Sequence, residues 1–173
     1  RCLSDWSSDV CSSDLLGAMI AREELMTAWG PGAHGSTYGG NPLACAAALE
    51  TIRLLEGSLM ENARARGDQA TAGLREIAAR FPSLVRDVRG LGLMLGVEFD
   101  TPAHAEEVQW AAFQRGLLVL ECGKSSVRMS PALTVTEAEM ATAIRIFGEA
   151  VDEVAVASGA VLTGARKAGG RMG

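Results

Sequence analysis

Eight residues, Gly35-Ser36-Thr37-Tyr38-Gly39-Gly40-Asn41-Pro42, gather the groups that an oxyanion needs. Glycines at 35, 39 and 40 let successive backbone N–H groups point one way, Ser36 and Thr37 add hydroxyl donors, and Asn41-Pro42 opens a helix. The pattern suits a phosphate. It is not a nucleotide fingerprint, since no GxxxxGK[ST] occurs and no strand feeds a GxGxxG. Loops of Gly, Ser and Thr also serve as plain turns, so these residues by themselves leave both readings open. His34 and Tyr38 border the loop and could touch a ligand or simply pack.

Two arginines are the other candidates. Arg128 stands in Val127-Arg128-Met129-Ser130-Pro131, and a planar guanidinium can hold a carboxylate through two parallel charge-assisted bonds. A lone arginine on a strand is more often half of a surface ion pair. Arg89, beside Gly90, invites an anion reading too, but its place in a Val- and Leu-rich strand favours pairing with a nearby acid. Glu98, Glu121 and the acids of the last helix read as solvated faces. Cys2, Cys11, Cys45 and Cys122 form no CxxC or Cys/His ligand spacing, so free thiols and no metal site are expected.

These groups must be held by elements, and the pattern of the chain supplies them. Residues 18–28 have helical spacing, the loop 31–42 cannot be regular structure, and Asn41 with Pro42 caps a helix that runs to Glu56 and stops at Gly57. Ala44, Cys45, Ala46, Ala47 and Ala48 make that helix fit for close packing on a sheet or a partner subunit. Ser58-Leu59-Met60-Glu61 reads as a capping box for a helix to about Arg80, with Leu74 and Ile77 inward. Residues 84–99 predict a strand pair or one bent strand, with Gly90 and Gly92 at the bend. Thr101-Pro102 starts a helix to Gly116, residues 117–121 and 127–130 form a hairpin, and Thr136 to Glu139 caps a helix to about Ala157. Strand, helix, hairpin, helix is an α+β unit whose sheet has one face covered by helices.

The totals fit an ordinary globular protein. The chain has 173 residues, 48% hydrophobic and 21% charged. Its net charge is -5, and Arg166, Lys167 and Arg171 lie in a tail without acids, which leaves the rest more acidic still and disfavours nucleic acid. No apolar run reaches the roughly 18 residues of a membrane span, so the default compartment is the cytosol.

Longer blocks carry a resemblance. GAHGSTYGGNPLACAAALETI, RGLGLMLGVEF and GLLVLECGKSSVRMSPALTVTEAEM resemble the class III aminotransferases of acetylornithine and 4-aminobutyrate type, from about Leu16 to Val154. That resemblance implies an α/β parent, the fold-type-I scaffold that uses pyridoxal 5'-phosphate. Residues 16–83 would then be the end of the large cofactor domain with a connecting helix, 84–157 an α+β C-terminal small domain, and 158–173 a fraying tail. Thr37 would reach the cofactor phosphate of the neighbouring subunit in a homodimer, with Ser36 as an adjacent donor. Arg128 would grip the substrate carboxylate. The family pattern has a second proline where this chain has Ala132, which could loosen the turn but leaves the arginine in place.

The resemblance also implies a Schiff-base lysine upstream of Leu16-Gly17-Ala18. The only lysines are Lys124 and Lys167, and neither fits that place. The expectation is therefore a C-terminal fragment of a transaminase, inactive by itself. The parent would pass an amino group from 4-aminobutyrate, acetylornithine, ornithine or a diamine to a 2-oxo acid such as 2-oxoglutarate. A different expectation is a catalytically dead module that pairs with an aminotransferase subunit. Residues 1–15 stand apart: back-translation of DWSSDVCSSDL fits a sequencing adaptor, so this leader is expected to be non-native and extended.

Overall fold

The computed structural model describes residues 21–30, 32–33, 37 and 39–159. The leader 1–15, the tail from 160 on, and His34, Ser36 and Tyr38 lie outside the described residues. Two compact units divide the chain, Arg1–Ser58 and Leu59–Gly173.

In the first unit the helix expected over 18–28 is only one turn among the described residues, α1 (Glu23–Met26). None of its residues is buried, and a single turn without a packed face propagates poorly. The second helix, α2 (Pro42–Leu54), starts as its sequence dictates. Asn41 is extended (φ -65, ψ 145), its side chain accepts a hydrogen bond from the Ala44 N–H at 2.9 Å, and Pro42 occupies the first helical position. Only Ala44 is buried in α2, and Leu43, Leu49, Ile52 and Leu54 stand exposed.

The expected stop at Gly57 and the capping box at Ser58 are not found. A π-helical stretch, Leu55–Leu59, runs instead into α3 (Met60–Arg80), and Leu59 is itself helical (φ -69, ψ -33) with no side-chain cap. A glycine ends a helix when it turns left-handed, and Gly57 does not. The ladder widens there rather than breaking.

The second unit is built on one antiparallel sheet. Strands β1 (Val85–Leu91) and β2 (Met94–Phe99) form a hairpin about Gly92-Leu93, which settles the expectation of a pair rather than one bent strand. Gly92 takes φ +55, as this tight turn requires. Next comes α4 (Pro102–Gln114), capped by the Thr101 side chain accepting from the His104 N–H. It closes with Gly116 left-handed and the Leu117 N–H bonded to Ala112 O, so the chain cannot start its strand until Leu120. Hence β3 (Leu120–Cys122) is shorter than the expected 117–121. β4 (Ser126–Met129) pairs with both β3 and β2, giving the order β1-β2-β4-β3. The last helix, α5 (Glu137–Ser158), carries the expected capping box between Thr136 and Glu139.

Side chains alternate across the strands, and one face is dry. Leu95, Val97 and Phe99 of β2 with Val127 and Met129 of β4 meet Leu74, Ile77 and Val108 of the helices in one buried cluster. Helices α3 and α4 lie on that face, and α5 packs on both of them. The opposite face stays open and carries Arg89, Gly96, Glu98 and Arg128. Among the described residues no helix is long and apolar enough to cross a membrane.

Candidate functional site

The two sequence-predicted sites fall in different units. In the first, Thr37 sits at an exposed bend, followed by the Gly39-Gly40 turn with Gly40 at φ +75 and then the Asn41 cap. The cap consumes the Asn41 carboxamide oxygen, whereas the Thr37 hydroxyl makes no hydrogen bond among the described residues. It is an unengaged donor at the surface. Ser36, its expected companion, and the bordering His34 and Tyr38 are outside the described residues.

In the second unit the register places Arg128 opposite Gly96 on one side and Leu120 on the other. Arg89 is opposite Gly96 from the far side, so a row of Arg89, Gly96, Arg128 and Leu120 crosses the open face. The next row is Asp87, Glu98, Ser126 and Cys122. The Arg89 guanidinium leans across β2. It donates to Glu98 Oε2 at 2.5 Å, to Asp87 Oδ2 at 3.1 Å and to Ser126 Oγ at 3.2 Å. Glu98 first, and then Asp87, hold the Arg89 guanidinium above its usual pKa. Arg89 is thus the ion pair that its strand position suggested. Glu98, expected as a solvated face, is its partner.

Arg128 differs. It is exposed, and among the described residues its guanidinium has neither a hydrogen bond nor an ion pair. A depression of about 640 Å³ opens over this face, lined by Arg89, Met94, Gly96, Cys122, Ser126 and Arg128 among others. A free planar cation in such a hollow can take a carboxylate through two parallel bonds. Sequence reasoning missed Gly96 and Ser126. Gly96 was within reach, because a two-residue turn at Gly92-Leu93 fixes it opposite Arg89. Ser126 was not, because it joins the group only when β4 pairs with β2.

Lys124 lies in the turn between β3 and β4, and Cys45 and Cys122 are free thiols. No group of three or more His, Cys, Asp or Glu side chains able to hold a metal exists among the described residues.

Known proteins match this chain clearly. The family described as aminotransferase class-III matches residues 15–151. An acetylornithine aminotransferase of Thermosynechococcus vestitus is 45% identical over 143 residues, covering 81% of this chain and 34% of the relative. Another, from Synechocystis sp., is 42% identical over 139 residues, covering 79% of this chain and 32% of the relative. Among solved structures, a lysine aminotransferase from M. tuberculosis superposes with a TM-score of 0.66 at 37% identity, covering 72% of this chain and 29% of that one. The chain spans about a third of the length of the curated relatives it matches.

Proposed function

The chain belongs to the class-III aminotransferase family, and on that premise we propose that it is part of a transaminase moving an amino group from acetylornithine to 2-oxoglutarate. The names of the curated relatives support acetylornithine as donor over 4-aminobutyrate, ornithine or a diamine. The observation that carries the reading is Arg128, an unengaged guanidinium in an open hollow. It binds the substrate carboxylate, and its fixed fork orients the rest of the molecule.

The cofactor of this reading is pyridoxal 5'-phosphate, which when bound supplies the electron sink for the amino transfer. The described residues fit one part of it. The Thr37 hydroxyl, free on its bend ahead of a left-handed glycine, donates to a phosphate oxygen, with Ser36 beside it. The setting is a cytosolic homodimer in which Thr37 serves the neighbouring subunit's cofactor. Exposed Leu43, Leu49 and Ile52 on α2 suit burial in such an assembly. Neither Lys124 nor Lys167 suits the covalent anchor, so the 173-residue chain alone has no activity.

The test is glutamate formation from acetylornithine and 2-oxoglutarate with cofactor added. The chain alone should give none, and a longer protein with a lysine upstream of Leu16 should give it, faster than with 4-aminobutyrate. Turnover by the chain alone would overturn the inactivity. An inactive longer protein would sink the transaminase reading in favour of a pairing module.

A further inference from the structure

An exposed arginine beside an acid usually pairs with it, and Arg128 has such an acid. Glu98 lies opposite Ser126, two residues before Arg128 on β4, so Glu98 and Arg128 are diagonal neighbours on the same face. Such positions are about 7–8 Å apart at the backbone, within reach of long side chains. Glu98 nonetheless turns to Arg89. By the strand register, Asp87 and Glu98 are the only acids on the open face among the described residues, and Arg89 holds both.

We propose that Arg89 is a positioning residue for Arg128: by holding the Glu98 carboxylate it keeps the nearest acid off the Arg128 guanidinium, which stays open to an incoming carboxylate. The clause about the incoming carboxylate rests on the function proposed above. The pairing itself does not. A Cβ at Gly96 would meet nothing closer than Arg89 O at 4.0 Å, so the space beside the Arg89 side chain is open there. Neither packing nor the passage of Arg89 over β2 to Ser126 Oγ is crowded at this position. Ser126, 6% exposed, is the one buried polar residue among those described, and Arg89 supplies its side-chain partner across two strands.

Phenylglyoxal, which attacks guanidines in their neutral form, reads the pairing directly when its adducts are mapped by mass spectrometry. In the 173-residue chain Arg128 should react roughly fivefold faster than Arg89, because an adjacent carboxylate favours the protonated form. In Arg89→Leu and Arg89→Gln the freed Glu98 should slow Arg128 about threefold or more, and adding Glu98→Gln should restore the parent rate. Rescue by the second substitution separates charge capture from a merely structural role. Arg89→Gln keeps a polar, uncharged side chain at this exposed position, which covers the case of a leucine variant that fails to fold. An Arg128 slower than Arg89 in the parent overturns the inference without any variant. So does an unchanged Arg128 rate in the Arg89 variants, or a slowed one that Glu98→Gln does not rescue. Glutarate as a protecting anion tests the other reading: no protection of Arg128, with the variant pattern intact, would sink its carboxylate role and leave the pairing standing.

Discussion

Arg128 and Arg89 are the same residue type on the same sheet face, and what separates them is company. Arg89 has two carboxylates and a hydroxyl, whereas Arg128 has none among the described residues. In an intact enzyme carrying this chain, Arg128→Gln should raise the KM for 2-oxoglutarate about 10- to 100-fold, the worth of a hydrogen bond to a charged group. Arg128→Lys should fall between, since it keeps the charge and loses the fork. Glu139 offers a pH test. Hydrogen bonds from the Thr136 backbone N–H first, and then from its hydroxyl, hold the Glu139 carboxyl below the ordinary carboxylate range. A folded pKa below the unfolded one adds stability that is complete above the unfolded value and is lost as pH falls through the folded one. Urea denaturation between neutral and acid pH should therefore show a loss on acidification that is smaller in Glu139→Gln. The capping box behind this was plain in the sequence, because its partners are three residues apart.

At the scale of elements, the close approach of α3 to the β1–β2 turn is the sharpest constraint. A Cβ on Gly67 would stand 2.3 Å from Gly92 O, a backbone atom that cannot rotate away. Gly67→Ala should cost about 1–3 kcal/mol by overpacking, despite alanine's better helix propensity, and thermal unfolding would show it as a lower Tm. Thr101→Ala should cost about 1 kcal/mol, because the first turn of α4 then loses the acceptor for the His104 N–H. An equal Tm in either variant would contradict these assignments. Local signals also located α2, α4 and α5 to within a few residues. They failed at Gly57, where a glycine and an apparent capping box read as a break. Whether a helix breaks or widens depends on what the following turns pack against, and α3 is tied to the sheet by Ala70, Leu74 and Ile77.

At the scale of the whole molecule, α2 exposes apolar side chains among the described residues, with Leu43 79% and Leu49 70% exposed. Burying a leucine is worth about 1.5–3 kcal/mol, so such a face favours association. The chain should bind a hydrophobic dye at neutral pH, and replacing Leu43 and Leu49 with Gln should lower that signal without lowering the Tm of the sheet-bearing unit. An unchanged signal would place the apolar surface elsewhere.

The sequence by itself determined the family, the caps at Asn41, Thr101 and Thr136, the strand-forming stretch 84–99 with its bend at the glycines, and the arginine and threonine of the two candidate sites. Each of these rests on residues a few positions apart, or on blocks long enough to resemble known ones. Only the tertiary structure decided that β4 pairs with β2, that Arg89 crosses Gly96 to reach Ser126, and that Arg128 keeps an open guanidinium. Residues so far apart in the chain meet only when four strands share one register. That register is set by which side chains the helices bury: Leu95, Val97, Val127 and Met129 must face α3 and α4, and this sends Arg89, Glu98 and Arg128 together to the other side.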